Sequence, residues 1–244
     1  GIQLALSFVP KEDPIGNVRL YLPGYGPEDG IWTEEYIKDA EPFGLFRFCW
    51  GSGAWSFFEV EKWEQRRHLD HYHWTEGDWE HGIPYEAMVA LANRTGNDLW
   101  ISIPHRANDA FIRNLATLIR DDLDPELTFW LEYSNEHWLD IEIFKIAPND
   151  YLQAVIARNA DDPGYKGMTV SRLYALMAMN AFEIFTEVFS ETGEMHRLMR
   201  VLSGHTTEAH ILEEATSEFV RFGKMGLVDA LAVGPYFRNG EEEG

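Results

Sequence analysis

Short apolar runs alternate with amphipathic helical stretches along almost the whole chain, and few folds accommodate that alternation. Consecutive strands separated by helices cannot pair as hairpins, so the pattern predicts parallel βαβ units. Asn17 to Pro23 reads as the first strand, and Thr33 as the N-cap of a short helix reaching Ala40. Gly44 to Trp50 is the second strand and runs into Gly51-Ser52-Gly53. A long aromatic and polar loop follows over roughly 54–82, a length that in such folds often carries function. A helix from about Pro84 to Asn93 stops before Gly96. Leu99 to His105 is a strand; Asn108 or Asp109 then caps a helix with the stripe Phe111, Leu115, Leu118 and Ile119.

Leu127 to Ser134 is the next strand, followed by a second long insertion. A helix capped by Ser171 and ended near Gly193 buries Leu173, Leu176, Met177, Ala181, Ile184 and Val188. Strand Leu198–Leu202, a helix through Ile211, Ala215 and Phe219, and strand Ala230–Phe237 complete the order. This makes about six strands where a closed (β/α)8 barrel has eight. The expectation is a single α/β domain over 1–244, either an incomplete TIM-barrel-like fold or an open α/β sheet.

Composition narrows the partners. With 41 acidic against 20 basic side chains the net charge is −21, a field that repels phosphate backbones and excludes nucleic acid. The single cysteine, Cys49, cannot form an intramolecular disulfide, so secreted and cytoplasmic settings both stay open. No apolar stretch is long enough to span a membrane. The opening Gly1-Ile2-Gln3-Leu4 has neither an initiator Met nor a signal-peptide pattern, so the start reads as processed, trimmed or partial.

In parallel α/β folds chemistry gathers at the carboxyl ends of strands. Here those ends carry Arg47, His105, Asn135 with Glu136, His205 and Tyr236. The string Glu132-Tyr133-Ser134-Asn135-Glu136-His137-Trp138 resembles the EYSNEVWN segment of a group of clan A-like glycoside hydrolases. Gly82 to Glu86, Leu91 to Asn93 and Ile103 to Ala107 are similar to other stretches of that group, and the likeness runs from about Asp13 to Phe237. His137 and Leu139 replace the group's usual Val and Asn.

The resemblance implies a retaining glycosidase acting on a β-linked oligo- or polysaccharide, without cofactor or metal. It makes Glu136 the acid/base, Asn135 a clamp for the sugar's 2-hydroxyl, and Arg47, His105 and Tyr236 supports of the site. Such enzymes need a second carboxylate about 5–5.5 Å from the first. The group's nucleophile lies on a seventh strand, which this chain does not reach, and its first strand lies upstream. The expectation is therefore a fragment, or a chain whose barrel is completed by another copy. Glu132 is four residues before Glu136, roughly 13 Å along an extended strand, and reads as a buried, hydrogen-bonded structural carboxylate. Glu241, Glu242 and Glu243 are candidates for the missing partner only by proximity.

Aromatic side chains stack on the apolar faces of sugars. Trp50, Trp55, Trp74 and Trp138 lie in strand-end loops, and Trp138, beside Glu136, is the one expected to line the site together with His205. Two other readings remain. One is a barrel that binds carbohydrate but has lost turnover. The other is a metal-dependent hydrolase using the loop His68-Leu69-Asp70-His71-Tyr72-His73 with His81, whose spacing fits no standard ligand pattern. Ser134 lacks the glycines of a nucleophile elbow, and no phosphate-binding glycine loop is present.

Overall fold

The computed structural model describes residues 21, 23–26, 29–49, 51–52, 54, 60–71, 82–139 and 147–234. Within them the order is α1 (Glu34–Ala40), β1 (Leu45–Phe48), α2 (Tyr85–Thr95), β2 (Asp98–Ile103), α3 (Asp109–Asp122), β3 (Phe129–Tyr133), α4 (Ala147–Arg158), α5 (Val170–Glu191), β4 (Leu198–His205), α6 (Ala209–Arg221) and β5 (Ala230–Gly234). The five strands lie side by side in sequence order, every pair parallel, and form a curled half-barrel. The strand expected at Asn17 to Pro23 falls largely outside the described residues, as do Pro235 to Phe237 at the end of the last one.

Local chemistry sets the helix ends. Thr33 accepts from the Tyr36 N–H at 3.2 Å and Asn108 from the Phe111 N–H at 2.9 Å, each satisfying a donor that the first helical turn leaves unpaired. Gly96 ends α2 at φ +70°, a left-handed turn open to a residue without Cβ. The cap of α5 is Thr169, not Ser171: its hydroxyl accepts from the Arg172 N–H at 3.2 Å, and Ser171 is buried in the first turn. The second insertion contains a helix that its weak amphipathicity concealed; α4 buries Leu152 and Val155 against the main core.

Strand parity sorts the side chains. Leu99, Ile101 and Ile103 of β2 and Phe129, Leu131 and Tyr133 of β3 are buried in the core with α3 and α5. Phe129 stacks on Phe185 and Phe189 at 5.5 and 6.5 Å. The intervening residues Trp100, Ser102, Trp130 and Glu132 share the opposite face, where Trp100 pairs with Trp130 in register and the rings stack at 5.8 Å. The β3–β4 ladder closes at Glu132 and Val201. Beyond it Tyr174 of α5 takes over, its hydroxyl accepting from the Ser203 N–H at 3.1 Å.

Each end of the sheet leaves an apolar groove. One, along β1, is lined by Tyr36, Ala40, Phe43, Leu45, Phe46 and Leu91. The other, between α6 and β5, is lined by Ala209, Leu212, Thr216, Leu231 and Val233. No helix among the described residues is long and apolar enough to cross a membrane.

Candidate functional site

The carboxyl ends of β1 to β4 hold the expected side chains, and the turn after β3 is their centre. Tyr133 ends the strand, and Ser134 (φ +62°) and Glu136 (φ +46°) then adopt left-handed backbone on either side of Asn135. Such conformations are strained for residues with a Cβ and concentrate at functional sites. The turn ends the extended rise that would have carried Glu136 far from Glu132, and both carboxylates act on the Arg47 guanidinium.

Glu132 is 1% exposed and collects donors on one oxygen. Its Oε2 accepts from Arg47 Nη2 at 2.8 Å, Arg47 Nε at 3.3 Å, Trp100 Nε1 at 2.9 Å and Ser102 Oγ at 2.9 Å. Arg47 Nη2 also donates to Asn135 Oδ1 at 3.1 Å, and the guanidinium lies over the Trp100 ring, 5.0 Å from its centroid. Burial alone would lower the Arg47 pKa, but the attraction and hydrogen bonds of Glu132 outweigh it and the value is raised. Arg47 therefore carries its positive charge with Glu132 as resident counter-ion.

Two buried imidazoles flank the turn. His105 follows β2, its carbonyl accepting from the Tyr133 hydroxyl at 2.6 Å and its ring packing 5.4 Å from Tyr151 of α4. His137 lies flat on Tyr174, centroids 3.6 Å apart and planes within 8°, while its carbonyl accepts from Asn149 Nδ2 at 2.8 Å. Neither ring has a hydrogen-bond partner among the described residues. Burial pushes both pKa values down to about 3, with the Arg106 cation adding to the effect at His105, so both are neutral at pH 7.

Trp138 is half-buried beside Glu136 and meets His205 edge-on at 5.9 Å. His205 Nδ1 faces the Thr207 N–H at 3.3 Å and the Thr207 hydroxyl at 3.1 Å, with a Glu208 oxygen 3.9 Å away. Arg47, Asn135 and Glu136 are thus brought together, and Trp138 and His205 touch along the adjoining side. Tyr236, Trp50, Trp55, Trp74 and Glu241 to Glu243 lie outside the described residues. So do His73 and His81 of the histidine loop; among the described residues no three His, Cys, Asp or Glu side chains gather as a metal site.

Sequence reasoning did not single out Trp100, Ser102, Tyr174 or Asn149 as parts of the site. For Ser102 the signal was available: a polar residue in a buried strand, in register with Glu132. Tyr174 and Asn149 come from helices whose approach to the turn depends on tertiary packing alone. Compared with family models, curated proteins and solved structures, the chain matches none.

Proposed function

We propose that this chain is a barrel-type glycoside hydrolase acting on a β-linked oligo- or polysaccharide, with Glu136 as general acid/base. The observation that carries this reading is the Asn135–Glu136 pair at the carboxyl end of the central strand, on left-handed backbone, with the Arg47–Glu132 ion pair against Asn135. Glu136 is only partly buried, so its carboxyl group can meet a leaving oxygen. Asn135 stands beside it to hold a sugar hydroxyl. Trp138, with His205 against its edge, offers an apolar wall for a sugar ring. On this reading the nucleophilic carboxylate comes from residues outside the described set, or from a second copy completing the barrel.

The test compares wild type with Glu136→Gln on aryl β-glycosides and soluble β-glucans. Loss of the proton donor is expected to slow glucan hydrolysis by about a hundredfold or more, with a smaller loss on aryl glycosides whose leaving groups need little protonation. Equal rates in both proteins would refute the assignment. One observation favours a second reading, a sugar-binding barrel without turnover: Glu132, the neighbouring carboxylate at this strand end, is committed to Arg47, Trp100 and Ser102. Saccharide binding by both proteins with hydrolysis by neither would select it.

A further inference from the structure

The ion pair beneath Asn135 fixes more than its own two charges. Arginine has donors and no acceptor, so the Asn135 atom 3.1 Å from Arg47 Nη2 has to be the amide oxygen. A flipped amide would set its NH₂ against a guanidinium donor. Asn135 is 4% exposed, and its Nδ2 donates to none of the described residues. The amide nitrogen is thus the atom left for a ligand.

Arg47 could not impose this orientation as a freely moving side chain. Its guanidinium is held by Nε and Nη2 on Glu132 Oε2 and by the Trp100 face beneath it. Glu132 is held in turn by Trp100 Nε1 and Ser102 Oγ. Arg47, Trp100 with Ser102, and Glu132 belong to β1, β2 and β3, three adjacent strands in fixed register. The line of hydrogen bonds therefore runs from the rigid sheet to the turn that bears Glu136.

We propose that Glu132 and Arg47 form a positioning pair that locks the Asn135 amide with its nitrogen towards the ligand, so that the site requires a hydrogen-bond acceptor there. Under the glycosidase reading, on which the identity of the ligand rests, that acceptor is a hydroxyl oxygen of the saccharide. Neither Glu132 nor Arg47 touches the sugar in this role.

The lock has a readout that needs no activity. The Asn135 side-chain amide is identified in a ¹H–¹⁵N spectrum by its disappearance in Asn135→Ala, and its motion is followed by ¹⁵N relaxation. Wild type should show an amide as rigid as the strand backbone. Removing Arg47 alone would leave the Glu132 charge buried and unpaired, so the variant to compare is Arg47→Met/Glu132→Gln, which removes both. Its amide should become mobile; an amide of unchanged rigidity would overturn the lock. Cellotetraose is then titrated in a Glu136→Gln background. The double variant and Asn135→Asp, which offers acceptors only, should each bind about tenfold weaker or worse. Unchanged binding by Asn135→Asp would overturn the requirement for an acceptor. If cellotetraose binds none of these proteins, the saccharide reading falls, while amide dynamics still decide the lock.

Discussion

Ser134 and Glu136 are the described non-glycine residues with positive φ, and they bracket Asn135. Left-handed backbone costs a residue with a Cβ about 1–3 kcal/mol, and the surrounding packing must hold it. Glu136→Gly should release that strain at a partly exposed position and raise stability by about 1 kcal/mol, after allowing for the freer unfolded chain. If the proposed glycosidase reading holds, turnover is lost with the carboxyl group. A urea midpoint unchanged or lowered would mean that the turn is not strained at this residue. His105 and His137 give the other prediction at this scale. Their folded pKa values are depressed from 6.5 to about 3, so below 6.5 the unfolded chain takes up protons that the folded chain refuses. Stability is therefore full above that pH and falls as pH drops towards 3, by about 1.4 kcal/mol per pH unit for each imidazole. His137→Phe keeps a flat ring against Tyr174 and removes one titrating group. Between about pH 6.5 and pH 5, before most carboxylates contribute, its urea midpoint should fall more gently than that of wild type. Parallel curves would show that His137 is not buried neutral.

The turn is clamped by elements that arrive from elsewhere in the chain. α5 supplies Tyr174, which both stacks on His137 and replaces the lost β3 partner of the Ser203 N–H. α4 supplies Asn149, bound to the His137 carbonyl. Tyr174→Phe keeps the stack but leaves a buried N–H without an acceptor, at a cost of about 1–3 kcal/mol. Chemical denaturation would show it, and a loss below about 0.5 kcal/mol would mean that Ser203 finds another partner. The strands and most helices were legible because their signals are local: apolar runs for β2 and β3, the Asn108 cap and apolar stripe for α3, Gly96 after α2. α4 was not, since Leu152 and Val155 make a short stripe within a polar stretch and only packing on α5 decides it. The same contrast holds in the site. Arg47, Asn135, Glu136 and Trp138 were found from strand ends, whereas the helix-borne clamp required the fold.

At the scale of the whole molecule, two features pull against each other. Among the described residues β1 and β5 each have one strand neighbour, and Leu231 and Val233 of β5 are about half exposed. Apolar sheet edges of this kind invite association. The net charge of −21 opposes it and also opposes folding, because compacting like charges costs free energy. Surface ion pairs such as Arg94–Glu34 and Arg113–Glu187 are exposed on both sides, so each contributes less than about 1 kcal/mol and cannot offset so large an excess. Screening should therefore relieve more repulsion than it removes attraction. Raising NaCl from about 0.05 to about 0.5 M shortens the Debye length from about 14 to about 4 Å and should raise the urea midpoint at dilute protein concentration, with KCl giving the same increase. The increase should shrink in a variant whose exposed Glu213 and Glu126 are replaced by Gln, since part of the repulsion is then already absent. A midpoint that falls with salt would mean that local ion pairs, not the overall acidic field, govern the stability of this sheet.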